Sequence, residues 1–128
     1  MTAASDTPFA NRVLVAEDDP AVRTFVSRAL THAGYSVTDV EDGQQALQAL
    51  EIERFDLLVA DIVMPVVDGI ALALSASSQQ PDLRILLITG YPTEQTRARN
   101  LDALIHGLIP KPFSLQELCA AAKAAMAR

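Results

Sequence analysis

A short apolar run at residues 57–60 constrains the fold of this chain more than any other feature. The run is apolar at every position, as expected for a strand buried on both faces inside a parallel sheet. It ends on the carboxylate of Asp61, and Pro65 and Gly69 then favour a turn rather than a longer strand. The pattern therefore places Asp61 at the carboxyl end of a central strand, the edge at which open α/β sheets usually bind ligands.

Five apolar runs alternate with five segments of helical periodicity along the chain. The predicted strands are 13–16, 35–40, 57–60, 83–89 and 103–109. The predicted helices are 20–33, 43–50, 69–77, 93–101 and 115–126. Strict alternation of this kind predicts a five-stranded parallel sheet covered on both faces by right-handed crossovers. The fold class is therefore α/β, a doubly wound (βα)5 unit.

Size and composition indicate one soluble domain. The chain has 128 residues, half of them hydrophobic, and a net charge of −6 that argues against a nucleic-acid or anionic-membrane surface. We expect residues 1–11 to form a flexible arm and residues 12–128 to form the domain. The polar start is not a secretory signal, no apolar run is long enough to span a membrane, and the single Cys119 suits a reducing cytoplasm.

Polar and charged residues stand at the ends of four predicted strands. Glu17 and Asp18 follow the first strand, Asp61 the third, Thr89 ends the fourth, and Lys111 follows the fifth. Because the carboxyl ends of parallel strands share one edge of a sheet, these side chains should converge. Three neighbouring carboxylates repel one another unless a cation joins them, and hard oxygen ligands suit Mg²⁺. The pattern predicts a site that holds a metal and a phosphoryl group beside a nucleophilic aspartate.

Plainer readings exist for each of these residues taken singly, since the acids could belong to a helix start and Lys111 to an exposed loop. Chance does not readily explain why polar and charged residues stand at the ends of four predicted strands. The two histidines, His32 near a helix end and His106 in the fifth strand, lack clustered partners at metal-ligand spacing and are interpreted as structural. Cys119 lies among apolar residues at helical spacing and is expected to be a buried small side chain.

The chain resembles the receiver domain of two-component response regulators over nearly all residues after 11. The resemblance rests on five separated motifs in the family's order: Val15-Ala16-Glu17-Asp18-Asp19, Asp61-Ile62-Val63-Met64-Pro65, Asp68-Gly69, Leu87-Ile88-Thr89-Gly90 and Lys111-Pro112-Phe113.

This resemblance implies the flavodoxin-like fold of a CheY-like receiver, in which Asp61 accepts a phosphoryl group from a phosphohistidine. It also implies Mg²⁺ bound by Asp18, Asp61 and the backbone carbonyl of Val63, with Glu17 acting through water. Thr89 and Lys111 would bind the phosphoryl oxygens, and the bond between Lys111 and Pro112 would be cis.

Three positions near the predicted site depart from the family pattern. Most receivers carry Tyr or Phe three residues before the lysine, where this chain has Leu108, so the usual coupling between Thr89 and an aromatic ring is in doubt. Val63 stands where a polar side chain often positions hydrolytic water. With Tyr91, it should shield the acyl phosphate, which predicts slow loss of the phosphoryl group. Pro110 removes a backbone donor beside Lys111 and should stiffen that loop.

The sequence ends after the last predicted helix, so we expect no effector domain and no enzymatic activity. We expect instead an output through a protein surface formed by the fourth helix, the fifth strand and the last helix. Four segments carry a narrower resemblance: Ala16-Glu17-Asp18-Asp19, Ala60-Asp61-Ile62-Val63-Met64-Pro65, Thr89-Gly90-Tyr91 and Leu101-Asp102-Ala103-Leu104-Ile105. They resemble the CpdR-type regulators of α-proteobacteria. That resemblance implies a cytoplasmic protein, recruitable to the cell pole, phosphorylated by a hybrid sensor histidine kinase through a histidine phosphotransfer protein. Its unphosphorylated form would prime the ClpXP protease in the cell cycle.

Three alternatives remain open from the residues. One is a chemotaxis-like regulator or a phosphate sink without output, and another is a pseudo-receiver that only scaffolds. The third is a phosphatase of the haloacid dehalogenase type, which also uses a strand-end aspartate with Mg²⁺, threonine and lysine. Such an enzyme needs a second acid two residues after the nucleophile, where this chain has Val63.

Overall fold

The sheet has five strands, all parallel, in the order β2-β1-β3-β4-β5. This is a computed structural model, and it describes residues 11–90, 98 and 103–128. The strands are β1 Arg12–Ala16, β2 Ser36–Val40, β3 Leu57–Asp61, β4 Arg84–Thr89 and β5 Gly107–Pro110. The helices are α1 Pro20–His32, α2 Gly43–Ile52, α3 Gly69–Gln79 and α4 Leu115–Met126. The predicted doubly wound α/β class is confirmed, with β3 at the centre of the sheet.

Capping residues define the boundaries of two helices. Asp19 is the N-cap of α1, where its side chain accepts hydrogen bonds from the amides of Ala21 and Val22, and Pro20 is the first helical residue. Ser114 and Glu117 form a capping box at the start of α4, each side chain accepting a hydrogen bond from the other's amide. The helix predicted at 93–101 lies outside the described residues except for Ala98, which is helical and buried.

Alternate side chains of the strands pack into two apolar clusters, one on each face of the sheet. The inward faces of α2 and α3 cover the first cluster, and those of α1 and α4 cover the second. The central strand β3 is buried along its whole length, as its unbroken apolar pattern predicts. The acid at its end is thus carried by the most deeply packed element of the fold.

The fifth strand begins later than predicted, at Gly107 rather than at 103. The reason lies in His106, whose amide donates to the carbonyl of Ile85 (2.7 Å) while its Nδ1 accepts from the amide of the same residue (3.0 Å). An imidazole thus takes the place of a backbone carbonyl at the entrance to the β4–β5 ladder. His106 was predicted to lie within the fifth strand. That placement was wrong, because the residue lies just before β5.

The two remaining side chains expected to be structural differ in exposure. His32 is the last residue of α1 and is exposed at the negative end of the helix dipole. Cys119 is half-buried instead of buried, because Leu118, Ala122 and Ala125 form the inward stripe of α4 and Cys119 lies beside that stripe.

Candidate functional site

Three carboxylates meet at the carboxyl edge of the sheet. Glu17 and Asp61 are buried, with 0% and 4% of their surfaces exposed, and Asp18 is exposed. Each offers an oxygen that lies within 4.8 Å of those of the other two. They line a pocket of about 420 Å³ together with Asp19, Val63, Gly90 and Lys111. The predicted convergence of the first, third and fifth strand ends is therefore present in the structure.

The turn between β1 and α1 orients the first two acids. The amide of Glu17 donates to the carbonyl of Val40 (3.2 Å), which ties the turn to β2, and the amide of Asp19 donates to Oε2 of Glu17 (3.1 Å). From α1, Nη1 of Arg23 donates to the backbone carbonyl of Glu17 (2.8 Å). Sequence reasoning missed Arg23, because nothing in its position six residues beyond Glu17 distinguishes it from a solvated helix arginine.

The loop after Asp61 folds back tightly on the strand. Oδ1 of Asp61 accepts from the amide of Val63 (3.0 Å), and the amide of Gly69 donates to the carbonyl of Ile62 (2.8 Å). A Cβ added to Gly69 would lie 2.4 Å from the carbonyl oxygen of Asp61 and 2.8 Å from Cα of Ile62. Only glycine allows this approach, so the start of α3 fixes the backbone that carries Asp61.

Lys111 supplies the only described ammonium group in the pocket. Its Nζ lies 2.6 Å from Oδ2 of Asp61 and 3.6 Å from Oε1 of Glu17. Burial alone would lower the pKa of Lys111, but the hydrogen bond and negative charge of Asp61, with the charge of Glu17, outweigh it and raise the pKa. The amide of Lys111 donates to the carbonyl of Thr89 (2.7 Å), and its bond to Pro112 is cis. A permanent cation therefore faces the two buried carboxylates.

Glu17 is the most perturbed group in the site. Burial and the neighbouring charge of Asp61 raise its pKa from 4.5 to about 8, although a hydrogen bond from the amide of Asp19 acts in the opposite direction. Its Oε1 is buried and accepts no hydrogen bond from any described residue. A buried carboxylate oxygen without a donor, beside two further acids, fits a hard divalent cation and its ordered water. The residues present thus suit Mg²⁺.

The other predicted site residues occupy different surroundings. Thr89 is buried at the end of β4, and Val63 has 54% of its surface exposed at the rim of the pocket. Leu108 is half-buried and packs against the cluster on the α2–α3 face. Tyr91 lies outside the described residues.

An apolar patch adjoins the acids on the side of α1. The rings of Phe25 and Phe113 are 6.1 Å apart at their centroids, and 40% of Phe25 is exposed. Beside them lies a pocket of about 310 Å³, whose lining includes Lys111 and Pro112. This patch could not be identified from the sequence, because Phe25 stands at the same helical spacing as the residues that α1 buries, Val26, Ala29 and Leu30. The patch gives the acidic pocket an apolar margin.

The model of the response regulator receiver domain family matches residues 13–123. The chain belongs to this family. Among solved structures, the receiver fold is similar to Vibrio cholerae chemotaxis protein CheY4 (TM-score 0.82, 28% identity, 91% of this chain and 98% of that one). It is also similar to Thermotoga maritima TrrA, solved in complex with Mg²⁺ and BeF (TM-score 0.80, 28% identity, 90% and 98%). The resemblance on which the predicted fold and family rest is confirmed.

Curated relatives that match this receiver include CpdR and MprA proteins. The response regulator receiver protein CpdR of Brucella abortus is 42% identical over 84% of this chain and 89% of its own length. Response regulator MprA of Mycobacterium avium is 40% identical over 91% of this chain, which spans about half the length of the MprA relatives (51%). No helix among the described residues of the receiver is long and apolar enough to cross a membrane.

Proposed function

We propose that Asp61 accepts a phosphoryl group from a phosphohistidine and that its phosphorylation switches a protein-binding surface of the receiver. The observation that carries this proposal is the ion pair between Lys111 and Asp61 within a cluster of three acids (2.6 Å). A nucleophilic carboxylate needs a cation nearby to accept the dianionic phosphoryl group, and the pocket offers one ammonium and a donor set for a second cation. Membership in two-component signalling agrees with this chemistry.

The transfer forms one bond to phosphorus and breaks another. A carboxylate oxygen of Asp61 forms a bond to phosphorus while the P–N bond of the phosphohistidine breaks, and the imidazole nitrogen keeps the electron pair and takes up a proton. Lys111 and Thr89 bind the phosphoryl oxygens. Asp18, Asp61 and the carbonyl of Val63 would hold Mg²⁺, with Glu17 acting through water, as the family resemblance implies. When bound, Mg²⁺ neutralises negative charge on the carboxylates and the phosphoryl oxygens.

The patch of Phe25 and Phe113 is proposed to receive the phosphodonor, a histidine phosphotransfer protein or the hybrid sensor histidine kinase itself. The patch shares Lys111 with the acidic pocket, so a protein seated there brings its phosphohistidine to Asp61. Phe25→Ala should slow transfer from a phosphohistidine protein at least severalfold, because exposed aromatic anchors carry much of the energy of such interfaces. Transfer from acetyl phosphate needs no docking and should not change.

For the output we propose control of regulated proteolysis by ClpXP in the cell cycle, in the cytoplasm and with recruitment to the cell pole. Support comes from the identity of 42% to a CpdR protein and from the resemblance of the site motifs. Leu108 cannot act as the aromatic switch, so the state of Asp61 is read through a different movement of β4 and β5. Affinity capture with the wild type and with Asp61→Asn tests the output. Failure of the unphosphorylated form to retain protease components would contradict it.

A further inference from the structure

Arg23 makes a side-chain contact to the backbone of the acid-bearing turn. It lies in the first turns of α1, half-buried, and its Nη1 donates to the carbonyl oxygen of Glu17 at 2.8 Å. This carbonyl leads directly into the peptide that connects Glu17 to Asp18. The orientation of that peptide decides where both acids point, so the contact acts on the geometry of the pair.

The turn has few other restraints among the described residues. Its backbone is tied to β2 through the bond from the Glu17 amide to Val40, and its helical side is tied through the amide of Arg23 and the carbonyl of Asp19 (2.8 Å). Between these two points, the remaining bond inside the turn is the one that the Glu17 carboxylate itself accepts from Asp19. A carboxylate that must also bind a cation is a poor restraint, whereas the guanidinium of Arg23 is always charged and holds a carbonyl.

We propose that Arg23 is a positioning residue for the divalent-cation site: it fixes the Glu17–Asp18 peptide so that both carboxylates face Asp61. The proposal rests on the proposed function, since it assigns a further residue to the same metal site. Partners that orient metal ligands without touching the metal commonly change metal affinity by an order of magnitude or more.

A purely electrostatic role and a positioning role for Arg23 predict opposite changes in Mg²⁺ affinity when this residue is replaced. Arg23 carries a positive charge close to the pocket, and removing that charge alone should strengthen the binding of Mg²⁺. Loss of a positioning contact should weaken it, because the acids then sample orientations that cannot converge. The sign of the change in affinity therefore separates the two roles.

The test compares Arg23→Met, Arg23→Lys and the control Arg28→Met, which removes the same charge from an exposed position of the same helix. Mg²⁺ is titrated into each full chain and followed by amide chemical shifts, which give the dissociation constant. Hydrogen exchange of the Asp19 amide is measured without metal. We expect Arg23→Met to weaken Mg²⁺ binding roughly tenfold or more and to speed this exchange, with partial recovery in Arg23→Lys, as for other orienting contacts. Arg28→Met should match the wild type or bind slightly more tightly.

Unchanged or tighter binding by Arg23→Met would overturn the role of Arg23 and leave the metal site intact. Absence of Mg²⁺ binding by the wild type would overturn the metal site and this proposal together. Should Arg23→Met fail to fold, Arg23→Lys decides, since its shorter cation keeps the charge but reaches the carbonyl with a single ammonium. Wild-type affinity and exchange in that variant would contradict the proposal.

Discussion

Nζ of Lys111 lies 2.6 Å from Oδ2 of Asp61, although 50 residues and one intervening strand separate the two. The contact exists because β3 and β5 flank β4 and both end at the same edge of the sheet. It neutralises one of three acids and leaves Glu17 and Asp18 for another cation. The pair thus divides the pocket into an ammonium side, suited to phosphoryl oxygens, and an acidic side, suited to a metal.

Glu17→Gln should stabilise the metal-free protein, and increasingly so as pH rises. The folded pKa of Glu17 is about 8, above its usual 4.5, so between these values the unfolded chain binds fewer protons than the folded one. Wild-type stability therefore falls as pH rises through this window, and the penalty is complete above it. Near pH 8 we expect the variant to be more stable by roughly 1–3 kcal/mol, well below the full shift because glutamine must itself be buried.

Urea unfolding with a chelator, at about pH 5 and about pH 8, checks this expectation, since the window lies between the two values. Equal stability differences at the two pH values would contradict it. Saturating Mg²⁺ should reverse the ranking, because the cation binds the folded wild type more tightly than the variant.

His106→Asn should remove an acid-sensitive contribution to stability. Burial, followed by the charges of Arg84 and Arg128, lowers the pKa of His106 below 6.5, and its Nδ1 must stay unprotonated to accept from Ile85. Below pH 6.5 the unfolded chain gains a proton that the folded chain refuses, so stability is lost as pH falls toward the lowered pKa. The amide oxygen of asparagine can accept the same hydrogen bond without titrating.

Between about pH 7.5 and about pH 5.5, the urea midpoint should therefore fall less in His106→Asn than in the wild type. An NMR titration of the His106 imidazole should show a pKa below the usual 6.5. A pKa above that value would contradict the hydrogen bond to Ile85.

Gly69→Ala should disturb Asp61 without touching its side chain. The new methyl would lie 2.4 Å from the Asp61 carbonyl, so the backbone must move, at a cost of roughly 1–3 kcal/mol in unfolding free energy. Gly90→Ala is the matched control on the rim of the same pocket, since a Cβ there meets nothing within 4 Å. The unfolding temperature and the Mg²⁺ affinity should both fall in Gly69→Ala and stay unchanged in Gly90→Ala. Equal effects of the two substitutions would contradict the role of Gly69.

Val63→Asn should shorten the life of the phosphoryl group. The exposed isopropyl group of Val63 stands at the mouth of the pocket, where it offers no hydrogen bond to an attacking water. A carboxamide could orient that water; side chains that also transfer its proton contribute about 10²–10⁴-fold, so we expect asparagine, which only orients the water, to speed the loss roughly tenfold. Loss of label from purified phosphoprotein measures both rates. A wild-type half-life of seconds, or one that asparagine leaves unchanged, would contradict the shielding role.

Most of the fold could be predicted because some residues determine the local backbone geometry. Asp19-Pro20 and the box of Ser114 and Glu117 define helix starts by local hydrogen bonds, and the apolar run before Asp61 defines the central strand. The convergence of acids followed from topology alone. The late start of β5 could not be predicted, because an imidazole replacing a backbone acceptor leaves no periodic signal.

Some site residues were equally hidden from sequence reasoning. The bond from Arg23 to the Glu17 carbonyl depends on a side-chain path around the first turn of α1, which no motif encodes. Likewise, the exposure of Phe25 depends on how α1 sits against α4 and the loop of Phe113. In both cases the missing information is a tertiary packing angle, which local sequence does not specify.

The most direct test of the central role of Asp61 is phosphorylation by a small-molecule donor. Wild type, Asp61→Asn and the control Asp82→Asn, at an exposed turn before β4, are incubated with acetyl phosphate and Mg²⁺ and analysed by intact mass. We predict a stable gain of one phosphoryl group in the wild type and in Asp82→Asn, abolished by a chelator, and no gain in Asp61→Asn. A gain of equal size in Asp61→Asn, or turnover of acetyl phosphate without any gain in the wild type, would contradict the account.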